Sequence, residues 1–489
     1  MKKAIIKLLA GLLAVSLVSG CGAGVSQKTP EKQILKWALS NMNYDMTPYE
    51  EVLNEKLEEK GFPYEIQFES IQTTSGDDTE SYVMAYIDQL GSGNYDIVSC
   101  PGTENGYDYY EILAERGDLV PWEDWLEQTE AGKKLKESYP EIVWDTLRYQ
   151  DHIYGAATPK TDWRFYAVFQ QEYAEQYGLG LHNVTFDDME QLLECGLKEK
   201  EAQEDFVVSF GWPYYLQNGY EYTKCQLVCA DTKQETVRAE SILENEEYQN
   251  HVRKLYRWKQ RGMYDPEPPA TQIQKGNFLA AGLYSYGKGG AEALLRAQYH
   301  IPENVKLQAV ELPEFQIPMA KKGRQTAVWG KSDNQDSAFQ VIAAIYSDRE
   351  LTDALVYGKE NEDYQIEDGK VVLLNDSGYF GIYRSKTFGN PYIKTPGEMD
   401  SVSMGKELWE EAEQAKLSKQ IGIHWDDSEL NRVISTINTE FMADGTFLLS
   451  GTGIDYEEEL KELEKEMEAL GLSMVTERMD QIFRKETGV

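Results

Sequence analysis

The chain has 489 residues, with 84 acidic against 48 basic side chains, a net charge of −36 and 41 % hydrophobic residues. That apolar content rules out a disordered chain, and the length exceeds what one core serves, so two lobes or domains are expected. So negative a surface repels nucleic acid and anionic lipid headgroups, and no nucleic-acid partner is expected; a neutral or cationic small molecule is compatible with it.

In chain order, Lys2, Lys3 and Lys7 come first, then an apolar run from Leu8 to Val18 and the small pair Ser19-Gly20 before Cys21. A basic start, a short apolar middle and small residues at a cut read as a signal peptide over 1–20, too short for a permanent span. Residues 21–32 are small and polar, a flexible tether. Ile34 to Leu39 reads as a strand. Thr47-Pro48-Tyr49-Glu50 opens a helix with Thr47 as its cap, carrying Tyr49, Val52, Leu53 and Leu57 on one face and stopping at Gly61. Tyr64, Ile66 and Phe68 alternate with polar residues as a strand does. A helix over 79–90 and a short strand over 95–99 complete a strand–helix alternation, the pattern of a parallel sheet covered by helices. Ligands sit at the carboxyl ends of such strands, so the loops after Leu39 and Ser99 flank a candidate cleft.

Further on, Ile153 to Pro159 is a strand ending in proline, and Thr185 with Asp188 forms a capping box. The middle of the chain to about Gly262 reads as helix-rich. Strands return at 305–312 and 326–329. Asp336 to Tyr346 is a helix with Phe339, Ile342, Ala343 and Tyr346 on one face. The tail over 456–485 reads as a charged helix that packs on the body through Leu460, Leu463, Met467 and Leu470. Beyond Cys21 the cysteines are Cys100, Cys195, Cys225 and Cys229; a Cys225–Cys229 disulfide and free buried thiols both stay open. No cysteine or histidine cluster has zinc spacing, and neither a metal nor another cofactor is expected. Gly282 to Lys288 has phosphate-loop spacing, but Gly289 stands where a metal-binding hydroxyl is needed.

Several segments together resemble a known family. Cys21 after Leu17-Val18-Ser19-Gly20 resembles the lipobox of bacterial lipoproteins, which implies lipidation of Cys21. Leu90–Val98, Ala114–Trp125, Asp151–Tyr166 and Glu172–Met189 resemble, in order, segments of the extracellular solute-binding proteins of bacterial ABC importers, the maltose- and oligosaccharide-binding group. Tyr357–Lys370 and Gly453–Leu472 resemble its Gram-positive lipoprotein branch, although Asn361 replaces a usual glycine and Lys198–Asn250 matches nothing. The resemblance implies an α/β, two-lobed periplasmic-binding-protein fold, type II-like, with mixed and parallel sheets covered by helices and a hinge between lobes. The N-terminal lobe would hold 33–157 and 326–366, the C-terminal lobe 158–325 and 367–489, with crossings near Thr158, Thr326 and Glu367. It implies a monomer, lipid-anchored on the extracytoplasmic face of the cell membrane, that binds an oligosaccharide or related polar solute, hands it to an ABC permease and does no covalent chemistry.

Sugar rings offer apolar faces to aromatics and polar edges to Asp, Asn, Glu and Arg. On that chemistry and on loop position the candidate ligand-binding residues are Trp163, Tyr166, Trp212, Tyr284, Tyr286, Trp329 and Tyr379, with Asn43, Asp45, Thr103, Glu104, Asp162 and Arg164 as polar partners. No residue is assigned a catalytic role. A surface glycan hydrolase or lyase is the rival from another class, which needs two carboxylates about 5–10 Å apart across one cleft; an adhesive lipoprotein without a cleft is the other.

Overall fold

The computed structural model describes residues 32–40, 45–73, 79–104, 107–159, 164–182, 184–212, 216–284, 288–319, 323–374, 388–398, 400–423, 428–445, 451, 453 and 455–487. The leader, Cys21 and the tether to residue 31 lie outside the described residues. No described helix is long and apolar enough to cross a membrane.

β1 (Gln33–Ser40) is the spine of the first sheet. Its last four residues are all buried, because helices cover both faces. The following helix is Thr47–Glu59. Asp45 Oδ1 accepts the Thr47 amide at 2.9 Å and Pro48 occupies the first turn, so Thr47 is the first helical residue and not the cap. β2 (Tyr64–Ile71) lies parallel to β1 with Leu35 opposite Ile66, and β3 (Ile97–Cys100) lies parallel on its other side. A short ribbon of β4 (Thr103–Glu104) and β5 (Tyr107–Asp108) follows, then four short helices, then β6 (Gly155–Thr158).

After β6 the chain enters a second lobe. Its strands are β7 (Tyr166–Gln170), β8 (Val207–Phe210), β9 (Tyr220–Tyr222), β10 (Val228–Asp231), β11 (Arg238–Ser241), β12 (Phe278–Tyr284) and β13 (Leu307–Glu311). One sheet has the order β13-β7-β12-β8; β9 to β11 form a separate antiparallel meander. Thr185 and Asp188 do bond each other, the Thr185 amide and hydroxyl both donating to Asp188 Oδ2 at 2.9 and 2.7 Å, but they close a turn ahead of the helix Met189–Ala202, whose N-cap is Asp188, so Thr185 is not the cap. The helix-rich reading of this middle is corrected, because four of these strands fall inside it. They are three or four residues long and mostly buried, so they carry no alternation.

The return strand β14 (Arg324–Val328) inserts antiparallel between β3 and β6, giving the order β2-β1-β3-β14-β6. Helices Gln335–Ser347 and Arg349–Tyr357 then pack under this sheet. The hairpin of β15 (Tyr364–Glu367) and β16 (Lys370–Leu373) comes next, introduced by Asn361 at φ +67°, a left-handed conformation that asparagine tolerates nearly as glycine does.

The chain does not cross at Glu367, as the resemblance implies. Val371 and Tyr364 pack on Val356 and Tyr357, and Phe388, Tyr392, Met404, Leu408 and Ala412 join the first lobe's core. Asn390 pins this stretch: its Nδ2 donates to Ser138 O and Tyr346 O, both at 2.9 Å, and its Oδ1 accepts the Tyr392 amide at 3.0 Å. The crossing comes instead at 415–423. Beyond it the tail forms two helices, Tyr456–Ala469 and Leu472–Thr487, broken at Gly471 (φ +101°). Leu460, Leu463 and Met467 bury against the β9–β11 meander, so the tail packs on the body as its apolar stripe requires. Replacing Asn390 by Ala strands two buried carbonyls and an amide and is expected to lower stability by about 2–4 kcal/mol, read by urea unfolding.

Candidate functional site

Three segments join the lobes: 159–165, 316–323 and 415–423. The second and third run side by side. The Met319 amide donates to Lys416 O at 2.7 Å, and the Ser418 amide to Met319 O at 3.2 Å. Glu221 of β9, 3 % exposed, fixes the third: its carboxylate accepts from the Ser418 hydroxyl, the Lys419 amide and Gln420 Nε2. Gly102 lies against the second; a Cβ there would stand 2.8 Å from Gly323 O, and its φ is +95°, so the close approach needs glycine. A cavity of about 290 Å³ opens beside these connections, lined by Arg164, Glu221, Lys233, Gln316, Gln414 and Lys419. A roomier cavity of about 630 Å³ lies at the far edge of the second sheet, around Gln170 and Asn277, away from the seam.

At the seam the second sheet presents one edge to the first lobe. Tyr166, the first residue of β7, is in register with Tyr284 of β12 on one side and Glu311 of β13 on the other. The first lobe presents the helix Met404–Gln414. Met404, Leu408 and Ala412 face its core, while Glu407, Glu411 and Gln414, at spacings of four and three, fall on another face. The two sides meet through side chains. Tyr166 Oη donates to Glu411 Oε1 at 3.2 Å. Arg164 donates from Nη1 to Glu311 Oε2 at 3.2 Å and from Nη2 to Gln414 Oε1 at 2.6 Å. Gln316 Nε2 completes Glu311 at 2.8 Å. One guanidinium on a connecting segment therefore ties a strand of one lobe to a helix of the other, since its several fixed donors can serve two acceptors at once. Burial pushes the Glu411 carboxyl up to about 7, helped by the like charges of Glu311 and Glu407 and opposed by Arg164 and the Tyr166 hydroxyl. Burial likewise pushes the Tyr166 phenol up.

Of the candidate ligand-binding residues, the structure brings Arg164 and Tyr166 together at the seam, beside the backbone of Tyr284. Asp45 is exposed and spends its carboxylate on Thr47, whose hydroxyl and amide hold it below its usual range. Thr103 and Glu104 sit just past the carboxyl end of β3. Asn43, Asp162, Trp163, Tyr286 and Tyr379 lie outside the described residues, as do the side chains of Thr103, Glu104 and Tyr284. Two candidates are corrected. Trp212 is wholly buried between Phe186 and Trp258, and its ring fills the space a Cβ on Gly282 would need. Trp329 is 1 % exposed and packs in the first lobe with Val98 and Leu119. Neither has a free face for a sugar; a large apolar ring beside a sheet gains more from burial than from a wet cleft. The residues that the sequence did not single out are Glu311, Glu411, Gln414 and Glu221. The spacing of Glu407 and Glu411 was visible, but such pairs are common in a chain with 84 acidic residues.

With this geometry in place, comparison with known proteins shows the fold. No family model matches the chain, and no curated protein matches it. Among solved structures it is similar to the N-glycan transport solute binding protein NgtS from Streptococcus pneumoniae, at 18 % identity and a TM-score of 0.65, over 93 % of this chain and 99 % of that one. NgtS is also solved in complex with Man1GlcNAc and with Man5GlcNAc. An extracellular solute-binding protein from Bifidobacterium longum subsp. infantis matches over the same shares at 14 % identity and a TM-score of 0.58. An HMO binding ABC-transporter associated solute binding protein from B. longum infantis matches at 12 % and 0.53, again over 93 % and 99 %. The chain thus has the mixed α/β, two-lobed fold of solute-binding proteins.

Because Trp212 and Trp329 are core residues, Trp212→Ala and Trp329→Ala are each expected to cost about 3–5 kcal/mol of stability in chemical denaturation. A variant of either that unfolds at the wild-type denaturant concentration would return that residue to the list of ligand contacts.

Proposed function

We propose that the chain is the extracellular substrate-binding component of an ABC importer, holding an oligosaccharide or related polar solute between its lobes and releasing it unaltered. The observation that carries this reading is the architecture: two α/β bodies, with the Tyr166–Tyr284–Glu311 edge of the second sheet meeting the helix Met404–Gln414 of the first lobe at the seam. Similarity to NgtS over 93 % of the chain supports a glycan as the solute. A ligand that touches both lobes stabilises the closed form by its differential contacts, and that form is what a permease would recognise. Ligand contacts are assigned to Arg164 and Tyr166 and to the flanking Asn43, Asp45, Thr103, Glu104, Asp162, Trp163, Tyr284, Tyr286 and Tyr379. The lobes divide as 33–158 with 324–414, and 166–315 with 424–489. A thioether lipid on Cys21 would hold the protein, as a monomer, on the outer face of the cell membrane.

Thermal unfolding with Man1GlcNAc, Man5GlcNAc and fructo-oligosaccharides, with peptides and polyamines as controls, tests the solute class. A bound saccharide at about 100 times its Kd adds about 2.7 kcal/mol. No stabilisation by any saccharide, or shortened products on incubation, overturns the reading. For the anchor, Cys21→Ala is expected to move the protein from the membrane fraction to the medium.

A further inference from the structure

The Glu411 carboxyl is buried at the seam; Glu314 and Glu407 also have a buried oxygen with no hydrogen-bond partner among the described residues. Its residue is 7 % exposed, Oε1 takes a single hydrogen bond from Tyr166 across the seam, and Oε2 is buried with no hydrogen-bond partner among the described residues. The charged groups that face it are these, among the described residues. Arg164, from the first connection, is the one cation among the described residues, and its Nη atoms are committed to Glu311 and Gln414. Glu311 from β13 and Glu407 from the same helix are like charges. Tyr392, from the segment before the helix, adds a buried hydroxyl that also has no described partner. The helix Lys288–Tyr299 packs alongside, but its described charges are turned elsewhere, Glu292 to the Ala309 amide and Arg296 to the carbonyls of 301, 302 and 305. On the helix Glu141–Thr146, Glu141 is exposed and Asp145 pairs with Arg148.

We propose that Glu411 and Tyr166 form a proton-dependent clasp beside the hinge, favouring the joined arrangement of the lobes when Glu411 is protonated and the parted one when it is ionised. Tyr166 stands at the end of the first connection and Glu411 four residues before the third, so rotation about the connections opens this contact to water. With the lobes together, an ionised Glu411 keeps one oxygen unsatisfied between two other carboxylates. With the lobes apart, water solvates it and its affinity for a proton falls toward that of an ordinary glutamate.

The sign follows. The carboxyl is raised to about 7 in the joined form, which therefore holds the extra proton, so joining is favoured in acid and the advantage is lost as pH rises through 7. If the parted form titrates near 4.5, the joining constant falls by up to roughly 70-fold between pH 5 and pH 8. The clasp needs no ligand.

Small-angle X-ray scattering of the ligand-free protein at pH 5.5 and pH 8.0 tests it, with far-UV circular dichroism to confirm that the fold is kept. The wild type is expected to have the smaller radius of gyration at pH 5.5. Glu411→Gln, a permanently neutral isostere, is expected to keep the compact value at both pH values; Glu411→Met serves if the amide variant fails to fold. A wild-type radius that is the same at both pH values overturns the proposal, and so does a neutral variant that still expands at pH 8.0.

Discussion

The architecture depends on the pairing of β14 into the middle of the first sheet. β3 and β6 do not pair with each other; each pairs with β14, with Thr326 opposite Ser99 on one side and Ala156 on the other. All these residues are buried, so their backbone groups have no water to bond and must find one another. The strand that satisfies them is reached only after the chain has traced most of the second lobe. The first sheet therefore closes late, through contacts far apart in sequence, and the lobes are interleaved rather than strung in series. Thr326 also exchanges a 2.7 Å hydrogen bond with Tyr346, and Tyr346 O is one of the carbonyls held by Asn390. β14 thus orders the helix beneath it, and that helix orders the stretch leading to the seam.

The seam differs in kind from the cores on either side. Each lobe is filled by clusters of apolar side chains, with aromatic pairs such as Trp122 against Phe339 at 5.1 Å. The described side-chain hydrogen bonds at the seam join Arg164, Tyr166, Glu311, Glu411, Gln414 and Gln316, with Ile317 of the second connection as an apolar contact to both cores. Apolar contacts lose much on exposure, whereas polar contacts exchange protein partners for water at small net cost. A division of this sort suits two stiff bodies with a soft joint, the hinge closure known for proteins that bind ligands between domains.

Much of this was legible in the sequence, and the gaps have physical causes. β1, the helix from Thr47 and β2 announce themselves because their apolar residues recur at the right period and Pro48 and Gly61 punctuate them. The bonding of Thr185 to Asp188 was readable because it is local, although it closes a turn ahead of the helix and does not cap it. The meander β9–β11 was not, because strands so short and so buried leave no alternation. The third crossing was misplaced for a different reason. Phe388, Tyr392 and Leu408 are apolar, but nothing local says which of two cores an apolar residue joins. At the seam, Tyr166 and Arg164 could be singled out from their place after a proline-ended strand. Glu411 could not, since its environment is made by Tyr166 and Glu311, which lie 245 and 100 positions away. The two tryptophans misled because an aromatic suited to a sugar is equally suited to a core.

The cysteines carry a practical consequence. Cys100, Cys225 and Cys229 are buried, unbridged and raised in pKa by that burial, so they resist both alkylation and oxidation. Cys195, on the helix Met189–Ala202, is partly exposed. With Cys21 replaced, a maleimide dye would find a single ready attachment point on the second lobe, and no engineered thiol would be needed to watch that lobe move.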